Sequence, residues 1–136
     1  MQEFSPAQQA IYNLVLEAQN AGIAECTAGK PFNAPGQAAT RVIVAGLKRL
    51  GNIKEDQEYR RYFMHGTSHS LGLDVHDVMP GDPTLRPGVV LTVEPGIYIR
   101  EGSLTDKKWW NIGCRIEDDI LVTAGAPENL SAALAR

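Results

Sequence analysis

Residues 89–99 read VVLTVEPGIYI, and this stretch decides the class of fold. Its short apolar runs are rich in β-branched residues, which is typical of strands. Glu94 closes the first run, and Pro95-Gly96 follows at once, where a bulge would redirect the carboxylate. We expect the strand to run past this point to Ile99. Taken alone, Glu94 is better explained as a solvated glutamate at the end of a strand.

Two further segments are predicted to be extended. One is the histidine segment from His65 through Val78, and the other runs from Cys114 to Val122. In the latter, apolar residues alternate with Arg115, Glu117 and Asp119, so these polar side chains are expected to share one face. Polar-outward alternation in an ordinary half-exposed strand explains that pattern equally well.

The residues before Tyr62 have a helical pattern. A first helix is predicted to begin with Ser5 as N-cap, Pro6 at the first helical position and Gln8 completing a capping box. It extends for about five turns, and its end is expected to fray from Gly22. Apolar residues recur along it at three- and four-residue steps, which indicates one buried stripe: Ile11, Leu14, Val15, Ala18 and Ala21.

A second helix is predicted after a loop at residues 27–36. It ends with Lys48 and Arg49 in its last turn and Gly51 just beyond it, and residues 52–61 are expected to form a charged surface loop. Helices come first and strands follow without alternation. This order predicts an α+β fold with an antiparallel sheet.

The composition predicts a single globular domain. The chain has 136 residues, of which 43% are hydrophobic and 21% charged. The net charge is −3 without a cluster of basic residues, which argues against a nucleic-acid partner. Met1-Gln2-Glu3 lacks the basic start and apolar run typical of a signal peptide, and no apolar stretch is long enough to cross a bilayer, so we expect a cytoplasmic protein that does not bind membranes. Cys26 and Cys114 form no CxxC pair and are expected to be reduced, semi-buried thiols.

All three histidines of the chain lie between His65 and His76. Neutral imidazole is the commonest metal ligand, and histidine titrates nearest to neutral pH, so this clustering suggests a site. On an extended strand His65, Thr67 and His69 would project from the same face. The alternative is that one or two of the histidines are ordinary core residues.

Combined, the three extended segments bring one histidine and two glutamates onto neighbouring strands. The glutamates are Glu94 and Glu117, and with one imidazole of the histidine segment they would form a partial ligand set for a hard or borderline divalent metal ion. Arg115 lies two residues before Glu117, where it could pair with a carboxylate on the same face and orient it.

Three segments in this order resemble the catalytic half of the pita-bread metallopeptidases: HGTSHSLGLDVHD, LRPGVVLTVEPGIYI and GCRIEDDILVT. Within that group the sequence resembles aminopeptidase P, the Xaa-Pro aminopeptidase. The helical start FSPAQQAIYNLVLEAQ is also similar to the family, so the resemblance covers essentially the whole chain.

The resemblance implies a site with two divalent metal ions that flank a hydroxide. Manganese is the usual metal of this branch, with zinc or cobalt as alternatives. The family's ligands are two aspartates, one histidine and two glutamates. His69 matches the histidine, and Glu94 and Glu117 match the glutamates.

The same resemblance implies catalytic and substrate-binding residues. His76 matches a histidine that binds the scissile carbonyl and its developing oxyanion, and His65 matches a histidine of the substrate pocket. Arg115 matches an arginine that lies next to the metal ligands without binding a metal ion itself. It is also expected to contribute to substrate binding. Glu94 would also carry a proton from the attacking water to the leaving proline nitrogen.

The family's two aspartate ligands lie on strands that precede the helix starting at Ser5. The resemblance therefore implies that residues 1–136 form a single domain, the C-terminal half of a pita-bread catalytic domain. The N-terminal half, a partner that would supply both aspartates, is absent. The sequence is either cut from a longer enzyme or a naturally shortened reading frame. We expect the chain alone to bind metal weakly or not at all and to be inactive.

Three functions follow from the sequence. The first is a metal-dependent aminopeptidase that removes the residue before a penultimate proline from peptides. The second is a prolidase-type dipeptidase with the same motifs, and the third is a non-catalytic pita-bread module that binds a peptide or protein. Retention of the histidines and glutamates argues against the third.

The sheet is also expected to associate with a second copy of the chain. In the complete fold the two halves lie edge to edge, so one half alone presents an open edge and an apolar border. We therefore expect a homodimer, with the sheet edge or the segment from His65 to His76 near the contact.

Overall fold

The computed structural model describes residues 4–68, 70–71 and 84–131, in which helices come first and strands follow. The α-helices are α1, Pro6–Ala24, and α2, Ala34–Arg49. Short 3₁₀ helices form at Asp56–Arg61 and Lys107–Trp109. Within the described residues the strands are β1 Ser70–Leu71, β2 Val90–Val93, β3 Gly96–Ile99, β4 Ile112–Arg115, β5 Asp118–Leu121 and β6 Glu128–Asn129.

Helix α1 begins as predicted and ends later than predicted. The Gln8 N–H donates to Ser5 Oγ at 3.1 Å and the Ser5 N–H donates to Gln8 Oε1 at 2.8 Å, which confirms the capping box. Gly22 does not fray but is buried inside the helix. A Cβ at Gly22 would lie 3.0 Å from Val93 Cγ1 and 3.1 Å from the Pro35 carbonyl oxygen. The missing side chain lets β2 and the start of α2 pack closely against α1.

Helix α2 and the segment after it correct two predicted boundaries. The helix begins at Ala34, inside the predicted loop at 27–36, because Pro35 fits a first helical turn. Residues 52–61 are not simply a surface loop, since Asp56–Arg61 is a 3₁₀ helix. Glu55 and Glu58 form a capping box at its start, which gives local hydrogen bonds to a charged segment that buries little apolar surface.

The strands form antiparallel ladders, as predicted. One sheet has the order β1-β2-β5-β6, and β3 pairs with β4 in a second, two-stranded sheet. Both ladders keep one register: Val93 is paired with Asp118, and Gly96 with Arg115.

The predicted strands 89–99 and 114–122 are each interrupted once, at the same level. Pro95 has no N–H to donate across the ladder. The Glu94 N–H donates instead to the Thr67 carbonyl at 2.7 Å, while the Pro95 carbonyl accepts from the Ile116 N–H at 3.3 Å. The chain therefore leaves regular strand geometry at Glu94-Pro95 and also at the two residues that face them on the neighbouring strand.

The strand predicted through the histidine segment was wrong at residues 65–68, which belong to no strand. The His65 ring turns back on its own backbone, with Nδ1 2.8 Å from the Gly66 carbonyl oxygen. Thr67 packs toward α2 and uses its carbonyl to accept from Glu94. Ser70–Leu71 is a strand, whereas His69 and residues 72–78 lie outside the described residues.

The apolar core has two parts. The larger lies between the two α-helices and the β3–β4 pair, and the smaller surrounds β2 and β5. Cys26 is fully buried in the smaller part rather than semi-buried as predicted, whereas Cys114 is half-buried. Among the described residues, no helix is both long and apolar enough to cross a membrane.

Candidate active site

Glu94 and Glu117 lie opposite each other where both strands are interrupted. The register that pairs Val93 with Asp118 and Gly96 with Arg115 also sets Glu94 against Glu117. Glu94 is half-buried and Glu117 is exposed. The interruption therefore brings two carboxylate-bearing positions together at one level of the sheet.

The predicted alternation after Cys114 is confirmed. Arg115 and Glu117 are exposed, whereas Ile116 and Asp118 on the opposite face are buried. Buried Asp118 accepts a hydrogen bond from Asn129 Nδ2 at 3.1 Å, which holds β6 beside β5. The polar face that carries Arg115 and Glu117 is thus the face left open to ligands.

Tyr98 connects the other predicted site residues. Its hydroxyl oxygen lies 2.8 Å from His65 Nε2, and the phenol is close enough to Arg115 for that positive charge to lower its pKa. With the proton of a neutral His65 ring on Nδ1, facing the Gly66 carbonyl, Nε2 accepts from the Tyr98 hydroxyl. Tyr98 then donates to His65, in the field of the Arg115 charge.

The electrostatics of Tyr98 indicate how close these groups are. Burial raises the pKa of the Tyr98 phenol, and the positive charge of Arg115 lowers it by a smaller amount. The negative charge of Glu94 adds to the increase in pKa. The phenol is therefore kept protonated at neutral pH, in its donating form, within the field of both Arg115 and Glu94.

Gly96 makes room for this arrangement. A Cβ at Gly96 would lie 2.5 Å from the Tyr98 hydroxyl oxygen and 3.0 Å from the Cys114 carbonyl oxygen. Because side chains two residues apart on a strand share a face, the phenol can lie back over β3 only if residue 96 has no side chain. The glycine after Pro95 is thus needed for the contact between Tyr98 and His65.

Tyr98 is the site residue that the sequence interpretation missed. The signal was present: it lies four residues after Glu94, an even spacing that keeps both on one face of an extended strand. A phenol in an otherwise apolar strand also requires a hydrogen-bond partner. The sequence does not reveal that Gly96 frees the space through which the hydroxyl reaches His65.

The structure brings together four of the predicted site residues: His65, Arg115 and Glu94 around Tyr98, and Glu117 opposite Glu94. His69 and His76 lie outside the described residues, so their predicted roles stay predictions. Within residues 4–68, 70–71 and 84–131, no group of three His, Cys, Asp or Glu side chains is arranged to hold a metal ion.

A sequence profile of Metallopeptidase family M24 matches residues 1–124. The chain belongs to metallopeptidase family M24. The match spans both helices, the histidine segment and the interrupted strands, and it confirms the predicted resemblance.

Relatives of this M24 chain extend the comparison. It is 43% identical to Xaa-Pro aminopeptidase 2 of Streptomyces coelicolor and 39% identical to the Xaa-Pro aminopeptidase of Escherichia coli, each over 98% of the chain. The aminopeptidase of Pseudomonas aeruginosa is similar in structure, with a TM-score of 0.89 and 43% identity. That similarity confirms the predicted α+β fold as part of a pita-bread fold.

The M24 chain spans about a third of the length of these relatives: 31% of the Streptomyces protein, 33% of the Escherichia coli protein and 33% of the Pseudomonas chain. That residues 1–136 are the C-terminal half of a catalytic domain is consistent with these shares and stays a prediction.

Proposed function

We propose that this chain is the part of a metal-dependent aminopeptidase that removes the N-terminal residue before a penultimate proline. The observation that carries the proposal is the opposed pair Glu94 and Glu117 at the shared interruption of two strands. Membership of the M24 family and the names of the relatives support it.

The chemistry of the donor set fits a divalent metal ion. Carboxylates at facing positions, one half-buried and one exposed, suit hard and borderline cations. We propose that Glu94, Glu117 and His69 hold two such ions together with two aspartates from outside this sequence, manganese being favoured over zinc or cobalt. When bound, such ions activate water at neutral pH and polarise the carbonyl of the scissile bond.

The chain's own residues then handle the proton and the developing charge. Glu94 accepts a proton from the attacking water at a carboxylate oxygen and delivers it to the leaving proline nitrogen. That nitrogen must be protonated because it leaves as an amine. His76 donates a hydrogen bond to the carbonyl oxygen as negative charge develops there.

Beside these groups, the hydrogen bond of Tyr98 has a positioning role. It fixes the ring of His65, a residue proposed to contact substrate. The ring is therefore held in place before a peptide binds, which reduces the cost of ordering it.

A chimera tests this function: residues 1–136 replace the matching third of the Pseudomonas aeruginosa enzyme. We expect the chimera to cleave an Xaa-Pro peptide with added manganese. The isolated chain should show no appreciable turnover, because a site without two of its carboxylates cannot hold the ions in fixed geometry. Turnover by the isolated chain at the level of the intact enzyme would refute the fragment assignment, and an inert, folded chimera would refute the function.

We further propose that the isolated chain forms a homodimer. Large apolar side chains are exposed at several places, among them Met64 at 59% and Leu104 at 80%. The outer described strands, β1 and β6, are only two residues long, so much of the sheet border lacks an outer strand within the described residues.

A cytoplasmic location stays a prediction.

A further inference from the structure

A cavity of about 730 Å³ lies beside the candidate site, between the first turns of α2, the 3₁₀ helix Asp56–Arg61 and residues 63–68. This volume is within the range of small-molecule pockets. Aromatic rings of Phe32, Tyr59 and Phe63 form part of its wall.

The charge of the cavity has one sign. Arg41 and Arg60 line it, and none of its described lining residues is acidic. The nearby acidic residues of the 3₁₀ helix are already paired, Asp56 with Lys48 at 2.7 Å and Glu58 with Arg61 at 2.6 Å. Among the described residues, neither Arg41 nor Arg60 has a carboxylate partner.

The two guanidinium groups differ in how they are held. Arg60 lies over the ring of Tyr59, 5.8 Å from its centroid, which restricts that side chain. Arg41 projects from the exposed face of α2. In a chain with a net charge of −3, a cavity whose described lining carries two arginines and no acidic residue is complementary to an anion.

The cavity and the candidate active site share two residues. His65 and Thr67 line it, and both also contact the site: His65 Nε2 lies 2.8 Å from the Tyr98 hydroxyl, and the Thr67 carbonyl accepts from the Glu94 N–H at 2.7 Å. Residues 65–68 therefore line the cavity on one side and contact the backbone of Glu94 and the hydroxyl of Tyr98 on the other.

We propose that this cavity binds the C-terminal end of a short peptide, with Arg41 and Arg60 receiving the terminal carboxylate and the aromatic wall receiving the last side chain. The proposal rests on the proposed function in that the peptide is its substrate.

Binding is measured on the isolated chain by NMR titration with the tripeptide Ala-Pro-Phe, its C-terminal amide and Ala-Pro-Asp-amide. A chelator is present, so the result does not depend on metal or turnover. We expect the free acid to bind roughly tenfold more tightly than either amide, the scale expected of two partly exposed charge pairs. It should shift backbone signals of residues 33–41 and 59–68.

Variants locate the contact. The double variant Arg41→Gln, Arg60→Gln should bind the free acid as weakly as the amide, whereas Arg49→Gln, in the last turn of the same helix, should bind like the unaltered chain. Equal affinity for acid and amide, an unchanged double variant, or tight binding of Ala-Pro-Asp-amide would overturn the proposal. A failure here leaves the cleavage assay of the chimera unaffected, so the two hypotheses are tested separately.

Discussion

Backbone hydrogen bonds hold Glu94 in position. Pro95 removes one ladder donor, and the Glu94 N–H is redirected to the Thr67 carbonyl at 2.7 Å. Gln19, fully buried in α1, donates to the Val93 carbonyl at 3.4 Å. The peptide unit before Glu94 is thus held by hydrogen bonds on two sides. These bonds fix the point at which the Glu94 side chain projects from the sheet.

The two cysteines should differ in reactivity toward a thiol reagent at pH 8. Burial raises the pKa of the Cys26 thiol to about 12, with a smaller contribution from the charge of Glu25, and burial also raises the pKa of the Cys114 thiol, but Cys114 is only half-buried and therefore accessible to the reagent. Because only the thiolate reacts, we expect Cys114 to be modified in the native chain and Cys26 only after unfolding. A Cys114→Ser variant isolates Cys26, and rapid native modification of that variant would contradict the account.

The Cys26 pKa also gives a direction for stability. A thiol with a folded-state pKa near 12 and an unfolded pKa of about 8.5 stabilises the native state fully below the unfolded value. That contribution is lost as the pH rises from there toward 12. Alkaline unfolding should therefore release Cys26 for reaction.

At the scale of elements, a second glycine, Gly46, lets α1 pack closely on α2. A Cβ at Gly46 would collide with the buried side chain of Leu14 on α1. We expect Gly46→Ala to lower the free energy of unfolding by about 1–3 kcal/mol, as overpacking does. Chemical denaturation measures this change.

Gly36→Ala in the same helix is the matched control. A Cβ there would lie 3.6 Å from Thr67 Cβ, an ordinary contact, so helix propensity should make the change neutral or stabilising by up to about 1 kcal/mol. Equal losses in both variants would show that the Leu14 contact does not limit the packing.

Elements with strong local signals were predictable from the sequence. The capping box at Ser5 and the basic last turn of α2 were found because they rest on neighbouring residues. The β-branched runs likewise revealed an antiparallel sheet. The interruption at Glu94-Pro95 was expected only as a bulge. The interruption itself also depends on Thr67, which is distant in sequence. Its carbonyl accepts the hydrogen bond from the Glu94 N–H.

The candidate site was predictable to a similar degree. Residue type and spacing indicated Glu94, Glu117 and Arg115 correctly as neighbours. They did not reveal Tyr98, because its contact with His65 depends on the absence of a side chain at Gly96. The extended conformation expected at His65 was wrong because the ring satisfies its Nδ1 locally at Gly66.

At the scale of the whole molecule, the proposed homodimer has a direct test in sedimentation at micromolar concentration. We expect a species of twice the 14.8 kDa chain mass, because apolar side chains such as Met64 and Leu104 are exposed. Met64→Ser and Leu104→Ser should shift the equilibrium toward monomer, and Thr105→Ser in the same loop should not. A monomer at all concentrations would contradict the proposal.

The central claim is that Glu94 and Glu117 are metal ligands, and the metal content of the chimera tests it most directly. We expect Glu94→Gln, Glu117→Gln and His69→Ala to lose most of the bound manganese. The exposed control Glu101→Gln should keep it. His76→Ala should also keep it while turnover falls by about a hundredfold, the usual effect of losing a transition-state donor. Full manganese content in folded Glu94→Gln and Glu117→Gln chimeras would contradict the account.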